Sequence, residues 1–141
     1  MGQKDLSIYL KEVKDKHFHW GEHDCLIFSN NAFKAYHGFG YAEDWFGRYS
    51  IENKPKTTQD MREEFGVNSF DEMIDSKLTR IDYVPPKGAV VATKQNQHRH
   101  RALRFIPYAL GISIGTKAAF LQDEGVIYLP LDAITTAWIA K

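Results

Sequence analysis

The chain has 141 residues, with 18 basic and 18 acidic side chains and a formal net charge of zero. Hydrophobic residues make up 43% and charged residues 26%, a globular balance that excludes a disordered or collagenous chain and predicts one domain over residues 1–141. No global field draws it to nucleic acid. No apolar run approaches the roughly 20 residues of a membrane span, and the charged stretch from Met1 to Lys16 is not expected to be a signal peptide.

Leu6, Tyr9, Leu10 and Val13 recur at helical spacing and predict a first helix, with Asp5 as its cap. His17 to Asp24 is too irregular for a helix and reads as a polar turn. Cys25 to about Tyr36 suits a second helix, capped by Asp24, lined by Phe28, Ala32 and Ala35, and ended at His37-Gly38. Phe39 to Pro55, rich in glycine and aromatics, reads as loop. Tyr36, Phe39, Tyr41, Trp45, Phe46 and Tyr49 there would cover the core or face a partner. Thr57 to Phe65 predicts a helix stopped by Gly66, and the capping box Ser69-Phe70-Asp71-Glu72 opens another through about Lys77.

The pattern changes at Pro85-Pro86. Ala89 to Ala92, Tyr108 to Ile114, Lys117 to Leu121, Val126 to Leu129 and Ala137 to Ile139 read as strands, with a hairpin turn at Gln122 to Gly125. Helices followed by a meander of strands predict an α+β domain with an antiparallel sheet.

Cys25 is the single cysteine, which rules out an internal disulfide and multi-cysteine zinc sites. At a helix start, free N–H groups and the positive end of the dipole favour a thiolate, the form that attacks carbonyls. The bland alternative is a small buried hydrophobe. A nucleophile also needs a base. Of the six histidines, His98 and His100 sit in a long loop that would bend over Cys25. His17, His19 and His23 lie too close in sequence to turn back onto it. Those three with Asp24 are metal-capable types, but no second ligand pair follows, and neither a metal nor a cofactor is expected. The loop from Lys94 to Arg104 has no acidic residue, so Arg99, Arg101 and Arg104 are candidates for contact with an acidic partner surface.

The string Phe18-His19-Trp20-Gly21-Glu22-His23-Asp24-Cys25-Leu26-Ile27-Phe28 resembles the nucleophile segment of papain-like NlpC-type cell-wall peptidases. More narrowly, the chain is similar to a phage-encoded branch of that superfamily found among tail genes. The matching pieces are Trp20-Gly21, Asp24-Cys25, Gly88-Ala89-Val90-Val91, Ala109-Leu110-Gly111-Ile112, Phe120, Gly125, Pro130-Leu131 and Ala137-Trp138, in the expected order across nearly the whole chain. The resemblance implies a papain-like fold, with N-terminal helices packed on a C-terminal antiparallel sheet.

Active relatives open the strand His-x-Gly-Ile with the catalytic histidine. Here Ala109 stands at that position, and Ala89 replaces the aspartate of the Gly-Asp strand. Alanine takes no proton, so the resemblance implies a phage tail-tip or hub assembly protein, in the virion after synthesis in the host cytoplasm. Its partners would be other tail subunits, without nucleic acid or membrane insertion. The alternative is an active cysteine peptidoglycan hydrolase that uses a displaced histidine. A host-encoded binding domain is the third reading.

Overall fold

The computed structural model describes residues 3–51, 54–94 and 108–141. Helix α1 (Gln3–Val13) turns Leu6, Leu10 and Val13 inward. Asp5 lies inside its first turn, not ahead of it as the sequence suggested, and so favours the dipole rather than capping the end. Helix α2 (Cys25–His37) is the central helix. Asp24 caps it by accepting the Ile27 N–H at 3.0 Å, and Gly38 ends it at φ 90° with its N–H on the Lys34 carbonyl. Phe28, Ala32 and Phe33 are fully buried between α1 and the sheet.

The stretch expected to be loop carries more structure. A 3-10 turn spans Glu43–Trp45, and a short hairpin pairs β1 (Ser50–Ile51) with β2 (Lys54–Pro55). The buried Asn30 amide oxygen accepts the N–H groups of Tyr41 and Ala42, both at 2.8 Å, which ties the segment to α2. Tyr41, Trp45 and Tyr49 are buried, so these aromatics are core, whereas Phe39 is exposed.

Helix α3 (Thr58–Phe65) is capped by Thr57 and stopped by a left-handed Gly66, as expected. Helix α4 (Phe70–Asp75) ends two residues before Lys77. Ser69 accepts the Glu72 N–H at 3.2 Å, but Glu72 reaches back to the Asn68 N–H at 3.3 Å, one residue beyond the usual capping-box partner.

Six strands form one antiparallel sheet: β3 (Leu78–Ile81), β4 (Val90–Thr93), β5 (Ala109–Ser113), β6 (Lys117–Gln122), β7 (Gly125–Pro130) and β8 (Thr136–Ala140). Their order is β3-β8-β4-β5-β6-β7. The meander from β4 to β7 matches the expected strands, and β8 returns to the other side of β4. Strand β3 was not expected; it pairs with β8 from Leu78↔Ala140 to Ile81↔Ala137.

Side-chain alternation divides the sheet cleanly. Val90, Ala92, Leu110, Ile112, Ala119, Leu121 and Trp138 join the helices in the main core. Val91, Ala109, Ala118, Phe120 and Ala137 form a second buried cluster on the opposite face. The domain is therefore α+β, with helices before the sheet and packed on one of its faces.

Candidate functional site

Cys25 opens α2 against β5, the strand that α2 touches most among its sheet neighbours. The arrangement begins at the turn that precedes it. His19 and His23 form an isolated antiparallel bridge, His19 N–H to the His23 carbonyl at 2.9 Å and back at 2.8 Å. Gly21, at φ 82°, makes the left-handed step between them. That loop delivers the Gly21 N–H to Asp24 Oδ2 at 2.8 Å.

Asp24 is fully buried. Its carboxyl takes the Gly21 and Ile27 N–H groups, and the Tyr49 hydroxyl donates to both oxygens, at 2.8 and 2.6 Å. Burial pushes the Asp24 carboxyl up from its ordinary value, while these donors pull it down. Burial followed by the Asp24 charge holds the Tyr49 hydroxyl well above the usual tyrosine range.

Beside this pair, Cys25 is 3% exposed. Burial first, and then the Asp24 charge, push its thiol up to about 12; hydrogen bonds from the backbone N–H groups of Leu110, Cys25 and Leu26 act in the opposite direction. The thiolate anticipated from the helix start is therefore not the resting state: removal from water outweighs the dipole. One turn along α2, Ser29 Oγ lies 2.7 Å from the Tyr41 hydroxyl and donates to the Leu26 carbonyl at 3.1 Å. Tyr41 is also pushed above its ordinary value, chiefly by burial. At the start of β5, Tyr108 donates to Asp71, and Arg80 clamps Asp75 through contacts of 3.1 and 2.5 Å. Trp138 Nε1 donates to the same Asp75 at 2.9 Å.

Of the histidines near the cysteine, His23 has its buried Nε2 without a hydrogen-bond partner among the described residues. His19 Nδ1 sits 2.9 Å from Glu22 Oε2 at the surface. His23 is buried with its ring edge-on to Phe28, and burial lowers it to about 4, so it is neutral. His37 lies 3.0 Å from the Gly88 carbonyl at the far end of α2. His98 and His100, with Arg99, Arg101 and Arg104, lie outside the described residues. Among the described residues, no three His, Cys, Asp or Glu side chains come together as a metal site.

Ala109 needs a correction. It sits on β5 next to Leu110, as the sequence reading required, but its side chain belongs to the cluster on the face away from α2. Leu110 and Ile112 of β5, with Tyr108 just before it, are the side chains that share the core with Cys25. A histidine in place of Ala109 would point away from the sulfur, so the position facing Cys25 is not 109 in this register. Tyr49, Tyr41 and Ser29 escaped the sequence reading as site residues. The dense aromatic stretch is the signal for Tyr41 and Tyr49, and no local pattern marks Ser29.

Over residues 2–140 the chain matches the family described as a domain of unknown function, DUF6950. No curated protein matches it, and no solved structure does. A match over nearly the full length shows the family: the chain belongs to DUF6950.

Proposed function

We propose that this protein is an assembly module of a phage tail, at its tip or hub, built on a papain-like arrangement that no longer carries out chemistry. The reading rests on the resemblance for its place in a tail and on one observation for its inertness. Cys25 heads the central helix against the sheet, yet it is 3% exposed and its thiol is protonated, held so first by burial and then by the neighbouring Asp24. A thiol in that state does not attack a peptide carbonyl. The buried tyrosines that surround it then act as packing and hydrogen-bonding groups that fix α2 to the segment from Tyr41 to Tyr49. The partners would be neighbouring tail subunits, and the site of action the virion.

The reading is tested on purified sacculi and in a phage that encodes the chain. Wild type and Cys25→Ala should leave sacculus turbidity equally unchanged. Deletion of the gene should give particles without a complete tail tip, and Cys25→Ala should restore them. Clearing by wild type that is lost in Cys25→Ala would overturn the proposal.

A second reading, a cysteine hydrolase of peptidoglycan, is favoured by the place of Cys25 at the first turn of α2, where backbone N–H groups without helical partners would stabilise an oxyanion. That reading needs a base from the segment holding His98 and His100, and the same sacculus assay decides it.

A further inference from the structure

Helix α1 and the outer end of the sheet enclose a groove of about 680 Å³, away from the Cys25 network. Its accessible apolar surface comes from Ile114 after β5 and from Val126 and Tyr128 of β7, with Leu6 and Leu10 of α1 buried beneath. Its walls are basic. Lys11 and Lys14 line the α1 side and Lys87 the opposite side, with Asp15 as the one carboxylate. None of these lysines makes a side-chain hydrogen bond or ion pair among the described residues. At the mouth, Lys117 Nζ lies 4.8 Å from the centre of the Tyr128 ring and adds a further positive charge.

The strand along this groove is an edge. The two-residue turn at Asp123 and Glu124 closes on the pair Gln122↔Gly125, so Gly125, Ile127 and Leu129 direct their main-chain groups to β6. Val126, Tyr128 and Pro130 direct theirs outward. The Val126 N–H is taken by the Lys14 carbonyl at 2.9 Å, and Pro130 has no N–H. That leaves the N–H and C=O of Tyr128, a residue 44% exposed, facing out with no main-chain partner among the described residues.

We propose that this groove docks an extended acidic segment of a partner protein, its carboxylates on Lys11, Lys14 and Lys87, its apolar side chains on Ile114, Val126 and Tyr128. One observation chooses a peptide over a lipid: the open main-chain pair at Tyr128 is satisfied by another backbone and not by an acyl chain. Charge complementarity of this kind sets orientation and encounter rate more than raw affinity. The inference stands apart from any role in a tail.

The probe is a fluorescein-labelled peptide of alternating glutamate and leucine, titrated by anisotropy into the full chain. Saturable binding is expected, weakened at least about tenfold in Lys11→Glu/Lys14→Glu and weakened again as salt rises from about 50 to about 500 mM. Lys56→Glu/Arg62→Glu, with the same change in net charge elsewhere, should bind as wild type does. The Tyr128 amide should gain protection from hydrogen exchange when peptide is added. Absence of saturable binding overturns the proposal. So does equal loss in both double variants, or binding of anionic phospholipid vesicles with none of peptide.

Discussion

Iodoacetamide labelling of Cys25 measures the state of the sulfur directly, because the reagent consumes the thiolate. A thiol moved from its ordinary 9.0 to about 12 has, at pH 7, about a thousandth of the thiolate of a free cysteine. The less acidic thiol is the better nucleophile once ionised, and a Brønsted slope near 0.45 returns about twentyfold of that loss. Chemistry alone thus slows alkylation about fiftyfold. Burial slows it further, since a side chain 3% exposed reacts only when α2 and the sheet part. Intact-mass spectrometry at pH 7 should therefore show folded protein alkylated at least about fiftyfold more slowly than glutathione, with the difference abolished in about 8 M urea. The folded rate should also keep climbing tenfold per pH unit beyond the point, near 9, where a free cysteine levels off. A folded rate within about threefold of the free thiol at pH 7 would refute the reasoning, and a faster one would restore the activated nucleophile.

Three further outcomes follow from the geometry. In Gly111→Ala the new Cβ would lie 2.1 Å from the Ala119 carbonyl oxygen and 2.6 Å from the Phe120 ring. The neighbouring strand cannot yield, so urea denaturation should show a loss of about 2–4 kcal/mol, and a loss under about 0.5 kcal/mol would contradict the sheet register. His23 is lowered from 6.5 to about 4 by burial, so the unfolded chain binds more protons between those values. Its stabilising contribution is complete above pH 6.5 and is lost as pH falls towards 4, by roughly 2–3 kcal/mol. His23→Gln should flatten that part of the pH–stability curve, and an unchanged slope would show the ring to be solvated. Asp24→Ala orphans the Gly21 and Ile27 N–H groups and the Tyr49 hydroxyl, a cost of about 3–5 kcal/mol, against about 1–3 for Tyr49→Phe. The double variant should lose less than the sum, and strict additivity would deny the contact.

The features legible in the sequence are those set within a few residues. Asp24, Thr57, Ser69, Gly38 and Gly66 mark helix ends because a cap needs only its own turn, and each does so in the structure. The strands from β4 to β8 were legible because apolar runs alternate with glycine and turn residues. Strand β3 was not: Thr79 and Arg80 face solvent, and its extended state comes from pairing with β8 far along the chain. The hairpin of β1 and β2 was hidden for the same reason, being two short pairs inside a segment fastened by Asn30. Ala109 shows the limit at the site. Its place on β5 follows from the motif, but the face its side chain takes depends on sheet register, which no local pattern displays.

Cys25 shows how a correct local reading gives the wrong chemistry. The helix start is where the sequence puts it, and a helix N-terminus stabilises an anion by about 0.3–1 kcal/mol, reaching about 2 in favourable partly buried geometry. Raising the thiol from 9.0 to about 12 opposes ionisation by about 4 kcal/mol. The larger effect wins, and it comes chiefly from tertiary packing: α1 and β5 close over the start of α2 and exclude water, and the adjacent Asp24 adds to it. The carboxyl that caps the helix also opposes a thiolate at the sulfur. Tyr49 then fastens that carboxyl in place through both oxygens, so it cannot swing away when the helix breathes. The same residues that make α2 begin at Cys25 therefore keep its sulfur protonated.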